Sequence, residues 1–474
     1  MDRDGGIEFK NQEAGMDSLA ETEDKMDFAA LQRSVVLQDW PWVMRSVQEI
    51  LMEGVLLSEA QQDLVIEALI LALEWGDFQV QWDVAKVLPG LGDRAIGPLL
   101  EWLQEEDLDE DVQWFGIRML GRWAGDAGLT RLLEVLQSGT PDLQAMALSV
   151  LIQQGNAILD RILPLLIAGE TRLLAVKILS GIRSRDTLDL LLTVVTDEDP
   201  EIRTVALEAL SSFQDERLGF VFVRAMSDPV TTVRQTAAMA IGFCQTLSAF
   251  DRVAHLVPLL WDIQLSVCCA AAHSLGRTNH EDSIAALQKA LFSQPLPTVL
   301  GIELSRSLFH IGNTVGYEDA IVGLGAYVMT GINVSNQNRS SSASSLKVNL
   351  EVVSEIVQIL GRVETPIAKP IVLYTVLKCL DQQSVNGIDR TLAITTLGHL
   401  KDPRSIDPLI QQLIHPAPSL RLHILHALQQ IDPSVALNRL QSQLSESQRS
   451  KSLSTPSTNT LQNGIHFVLT EWRE

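Results

Sequence analysis

Val233-Arg234-Gln235-Thr236-Ala237-Ala238-Met239-Ala240-Ile241 is one copy of a pattern that recurs down the chain, and Ile202-Arg203-Thr204-Val205-Ala206-Leu207-Glu208-Ala209-Leu210 is another. Aligned on the ninth, apolar position, the copies end at Leu88, Leu120, Leu151, Leu179, Leu210, Ile241, Leu275, Leu308, Leu360, Leu397 and Leu428. The steps between them are 32, 31, 28, 31, 31, 34, 33, 52, 37 and 31 residues. Apolar residues at positions one, five and nine lie on one face of a helix. A fixed period of this length means a stacked solenoid, in which each unit buries its apolar face against its neighbours. The predicted class is therefore all-α: an α-solenoid of about eleven helix pairs, preceded by extra N-terminal helices.

Working outward, each copy follows a second helical segment, as in Arg94-Ala-Ile-Gly-Pro-Leu-Leu-Glu-Trp-Leu103 before Val112–Leu120. Pro98 fits the first turn, where its missing N–H is not needed. Asp-Pro pairs at 199–200, 228–229, 402–403 and 432–433 mark turns and helix starts. Gly121 is expected to begin closing its helix. The division expected from composition is a disordered acidic N-terminus over 1–26, a helical cap over 27–79 and repeats over 80–332. A Ser/Asn-rich disordered insertion over 333–347 accounts for the step of 52, and repeats continue over 348–440. A flexible tail over 441–474 ends in the apolar run Ile465–Trp472, which is expected to dock on the solenoid or on a partner.

The signature Val/Ile-Arg-x-x-Ala-x-x-Ala-Leu, preceded by a segment such as Ser405-Ile-Asp-Pro-Leu-Ile-Gln-Gln-Leu413, resembles HEAT repeats. More narrowly it is similar to the short HEAT-like repeats of the phycobilisome-lyase class, which gives residues 80–440 a cyanobacterial look. Such proteins include E/F-type lyases that attach bilins to phycobiliprotein cysteines, phycobilisome-handling proteins and plain scaffolds. The resemblance implies a first helix on the convex face and the signature helix on the concave face.

Charge is unevenly spread. The whole chain carries a net charge of -23, and residues 1–111 hold 26 acids and 7 bases, a net of -19. Seven of the nine tryptophans fall between Trp40 and Trp123. An acidic field disfavours nucleic acid and anionic membranes and favours a basic partner. The four cysteines form no Cys-x-x-Cys pair and no framework, which fits a reducing, cytoplasmic setting. The beginning is acidic, unlike a signal peptide. The stretch Ala320–Val334 is too short and glycine-rich to span a bilayer and reads as a buried helix.

Several constellations are candidates for function. Position two holds Arg172, Arg203, Arg234, Arg390 and Arg421, with Gln81, Gln113 and Gln144 in early copies. These arginines either grip a partner carboxylate or bilin propionate with their planar forks, or form a structural ladder with acids such as Asp197, Asp199 and Asp228. Position three holds Trp82 and Trp114 in adjacent copies, where others have Ala145 or Thr204. They form either an exposed ladder suited to a protein partner or a tetrapyrrole, or rings covered by packing between repeats. Trp102 and Trp123 read as packing residues. The run Glu105-Glu106-Asp107-Leu108-Asp109-Glu110-Asp111 lacks the glycine and glutamate of a calcium loop. It reads as a solvated turn favouring the following helix N-terminus and steering a basic partner.

Cys269 and His273 stand four apart on one helix, near Cys268 and His280, but supply too few ligands for a zinc site. His423 and His426 lack the glutamate of a metalloprotease helix, and no phosphate loop, dinucleotide fingerprint or nucleophile elbow occurs. No catalytic residue, metal or cofactor is expected.

The function expected is a non-catalytic scaffold that binds a protein with a basic surface through its concave face and acidic, Trp-rich N-terminal units. Neither nucleic acid nor membrane insertion is expected. The alternative is a bilin lyase or bilin chaperone of the E/F type, holding a phycobilin non-covalently and acting on phycobiliproteins. A third reading is a structural adaptor that uses residues 333–347 and the tail as tethers.

Overall fold

The computed structural model describes residues 28–54, 56–105, 108–122, 126–337, 348–381, 390–415, 417–449 and 456–472. Among them the regular structure is helical, as the repeat predicts. The chain packs as two compact units, Met1–Thr193 and Val194–Glu474, so a division falls inside the expected 80–332 run.

The eleven aligned ninth positions explain the architecture. All are exposed by 1% or less. Each sits on, or at the end of, the second helix of a pair, in the interior of its own unit. In most copies positions six and eight are buried as well, as Leu207 and Ala209 or Ala238 and Ala240 show. The second helix is thus wrapped on two sides, and the alanines let neighbours approach closely.

In the first unit, Phe28–Val36 and Trp40–Glu53 pack with Glu59–Trp75 to close the N-terminal end. Ser58 and Gln61 cap the third of these reciprocally, satisfying two otherwise orphaned backbone donors. The second helices that follow, Phe78–Val87, Glu110–Leu120, Pro141–Gln153 and Arg172–Gly181, lie side by side. The first helices Glu59–Trp75, Ile96–Trp102 and Asp126–Ser138 form the other layer.

The second unit repeats the plan. Its second helices are Pro200–Leu210, Thr231–Phe243, Leu265–Thr278, Thr298–Thr314, Leu350–Leu360, Arg390–Leu400 and Pro418–Ile431, each packed on the next. The Asp-Pro pairs do what their chemistry predicts. Asp199 accepts from the Glu201 N–H at 2.8 Å, and Asp228 from the Val230 N–H at 2.9 Å.

Two expectations about order are corrected. The helix Glu318–Gln337 runs through residues 333–337, the first part of the expected insertion, because Ile321, Leu324, Val328 and Ile332 hold one buried face. Residues 338–347 lie outside the described residues, as do 1–27. The expected flexible tail contains two helices, Pro433–Arg449 and Pro456–Glu471. Ala436 and Leu440 carry the first by helical spacing. In the second, Ile465 and Val468 are buried against the preceding repeat, and Gly464 packs onto the Leu413 backbone. The terminal apolar run therefore docks on its own unit.

Candidate functional site

Position two is spent on structure. The guanidinium of Arg203 forms a bidentate pair with Asp228, both bonds 2.9 Å, and donates to the Asp197 and Glu198 carbonyls. Arg234 does the same one repeat later, with Asp262 at 2.8 and 2.9 Å and the carbonyls of Asp228 and Pro229. Arg172 and Arg421 likewise reach the carbonyl six residues before them, Leu166 and His415. Gln113 donates to the Leu108 carbonyl, so the early glutamine takes a similar tie. In these copies the side chain at position two thus ties its helix to the turn before it, whereas Arg390 meets the His415 ring. Of the acids expected to pair, Asp228 does so through its carboxylate. Asp197 offers its carbonyl, and Asp199 caps its own helix. Asp262 was not legible from the sequence.

These carboxylates are electrostatically settled. Burial works to raise Asp228, but Arg203, the Val230 N–H and Arg234 overcome it and hold the acid below its usual range. Asp262 is held low by its hydrogen bonds to Arg234, against burial.

Position three is different. Trp82 and Trp114 are half-buried, neither free ladders nor covered rings. Both rings sit edge-on to buried Phe115, with centroids 6.5 and 5.2 Å away. Phe78 stacks with Trp82 at 6.3 Å and 19° and is 68% exposed. Exposed Arg118 joins the two tryptophans, its Cζ lying 4.9 Å from the Trp82 ring centroid and 5.3 Å from that of Trp114. Lys86, which pairs with Asp83 at 3.0 Å, lies 5.6 Å from the Trp82 ring. The sequence singled out both tryptophans but neither Phe78 nor Arg118. Arg118 stands at position seven, four residues after Trp114, a spacing that places both on one helix face.

The described members of the acidic run divide between a cleft and a helix start. Glu105 joins Asp63, Glu67, Glu74 and Glu101 around an apolar cleft of about 350 Å³, floored by Ile66 and Trp102 and built on the first helices. Glu74 is raised by burial and by the negative charge of Glu105. Asp109 precedes the next helix as its N-cap residue, Glu110 and Asp111 occupy that helix's first turn, and Thr140 hydrogen-bonds Glu110. Glu106, Asp107 and Trp123 lie outside the described residues. Trp102 is buried, as expected.

Of the Cys/His candidates, Cys269 and His273 line a groove in the second unit, while Cys268 is buried and His280 caps the following helix. About 450 Å³ is lined by Met239, Cys269, His273, Val299 and Glu303 among others, from three consecutive second helices. His273 Nδ1 lies 3.1 Å from Glu303 Oε1. The Cys269 thiol is pushed up to about 11 by burial, then by the charges of Glu303 and Cys268. It stays protonated at neutral pH and is a poor nucleophile. Among the described residues, no group of three or more His, Cys, Asp or Glu side chains is arranged to hold a metal ion. No single helix there is long and apolar enough to cross a membrane; Pro141–Gln153 with Gly155–Ile167 passes only as a pair bent by 103°.

A family model described as HEAT repeats matches residues 159–242 and 375–451. No curated protein matches the chain. Among solved structures, importin beta is 12% identical, with 92% of this chain and 68% of that chain covered and a TM-score of 0.39. An engineered protein is 18% identical over 91% of this chain and 99% of its own, with a TM-score of 0.31. The complex of CpcE and CpcF of phycocyanin lyase from Nostoc sp. PCC7120 is 17% identical, covering 59% and 94%, with a TM-score of 0.28.

Proposed function

We propose that this chain is a non-catalytic scaffold that docks a protein partner on the aromatic patch of its first unit. The observation that carries this reading is the cluster of Phe78, Trp82 and Trp114 around Arg118. The repeat does not need these large rings, since Ala145 and Thr204 stand at the position of the two tryptophans. Half-exposed tryptophans beside an arginine are the residue types that dominate binding energy at interfaces. The carboxylates around the first-helix cleft supply the long-range field, which favours a partner whose remaining surface is basic.

The double substitution Trp82→Ala with Trp114→Ala tests the reading. Capture of the host partner by the purified chain is expected to fall by more than about tenfold, since two hot-spot residues are removed, with helicity unchanged by circular dichroism. Retained capture would sink the patch as the docking surface.

The alternative, a bilin lyase or chaperone, is less well supported. Arg118 fills the space beside both indoles where a flat tetrapyrrole would stack. Mixing the chain with free phycobilin separates the readings, because a shifted visible band would favour the alternative.

A further inference from the structure

The cleft carboxylates stand on or just after the first helices, whereas Trp82 and Trp114 stand on second helices. Positions three and seven of the second helices turn away from the core. In the first unit they read Trp82 and Lys86, Trp114 and Arg118, Ala145 and Ser149, Leu173 and Lys177, none of them buried. No acid occurs among them, although residues 1–111 carry a net of -19. Asp83 at position four offsets Lys86, which leaves Arg118 as the cation of the aromatic patch with no carboxylate partner among the described residues.

Arg118 is the unusual member. The position-two arginines Arg203 and Arg234 spend their guanidinium groups on aspartates and carbonyls. Arg118 makes no hydrogen bond or ion pair among the described residues, and its cation lies against two indole rings. A guanidinium held by ring faces keeps its N–H donors, which lie in its own plane, available at the edge. It is also partly ordered before binding, so less entropy is lost when a carboxylate is gripped.

Resting on the reading of this patch as a docking surface, we infer that it binds an acidic, apolar peptide segment of the partner. An Asp or Glu carboxylate accepts from the Arg118 fork, and an adjacent aromatic or aliphatic side chain covers Phe78 and the Trp82 edge. Charge complementarity selects this occupant over a basic segment. The acidic field of the surrounding chain selects it over nucleic acid. A polyanion meets the whole field, whereas one carboxylate in contact with Arg118 gains a short-range pair that distant charges, screened beyond about 8 Å, barely oppose.

The test is fluorescence anisotropy with the full chain and a labelled peptide of alternating Phe and Asp flanked by glycines. Matched Phe–Asn and Phe–Lys peptides and a short oligothymidylate serve as comparisons. The Asp peptide is expected to bind about tenfold tighter than the Asn peptide, the difference a charge-assisted pair supplies, with the Lys peptide weakest. Arg118→Gln should abolish the preference for the Asp over the Asn peptide with helicity unchanged, and Arg118→Lys should restore only part of it. Equal affinity for Asp and Asn peptides, an undiminished preference in Arg118→Gln, no binding of the Asp peptide, or tighter binding of the oligonucleotide would each overturn the inference. If capture of the host partner is lost in the double tryptophan variant while Asp and Asn peptides bind alike, only the acidic-segment inference falls. If that variant keeps the partner, the docking surface itself falls.

Discussion

Arginine has two opposite uses in this chain, and the difference lies in what surrounds the guanidinium. Arg234 and Asp262 keep only 12% and 11% side-chain exposure, and their fork closes on a carboxylate that also caps the next helix. Arg234→Ala leaves that carboxylate and two carbonyls short of a donor, so a loss of about 2 kcal/mol is expected in urea unfolding. The pair also sets acid sensitivity. Asp228 and Asp262 titrate below the unfolded value of about 3.9. Their stabilisation is complete above that value and is lost as pH falls through the folded value. The thermal midpoint should therefore drop below about pH 4, and Asp262→Asn should flatten that drop while lowering stability at neutral pH. A midpoint equally steep in the variant would contradict this account. The position-two row was legible from the sequence because it recurs. Its partner Asp262 was not, because pairing across 28 residues depends on how one repeat is staggered on the next.

At the level of helices, the glycine after the pattern has a reason other than closing the helix. Gly121 keeps a right-handed φ of -64°, so a turn does not require it. A Cβ there would strike Val150 of the next second helix. Gly242 meets Ser274, Gly276 meets Ser307, Gly361 meets Thr396 and Gly398 meets Ala427 in the same way. In each case position ten of one copy faces position eight of the next, and a missing side chain sets the helix spacing. Gly276→Val should destabilise by about 1–3 kcal/mol through overpacking. Gly97 has nothing within 4 Å of its would-be Cβ, so Gly97→Ala should stabilise by about 0.5 kcal/mol. Equal effects in chemical denaturation would refute the spacing argument. The terminal helix shows a related limit of sequence reading. Serine and glutamine suggest a loose tail, but Gly464, Ile465 and Val468 make one face that fits the preceding repeat.

For the molecule as a whole, net charge and local charge point in opposite directions, and kinetics can separate them. The field of residues 1–111 acts at range, whereas Arg118 acts at contact. Raising salt should therefore speed association of the Phe–Asp peptide and slow that of a lysine-rich one, as read by stopped-flow fluorescence. Slower association of the acidic peptide in salt would mean that the patch, not the field, dominates the approach. The sequence by itself determined the all-helical repeat, the buried ninth positions, the capping Asp-Pro turns and the unusual tryptophans, because period, proline and capping chemistry act over a few residues. Only the tertiary structure decided that Arg203 and Arg234 are spent on aspartates while Arg118 lies against two indoles, and that the terminal helix is docked. Those outcomes depend on groups some thirty residues apart being brought to within a few ångströms, a distance that no local pattern encodes.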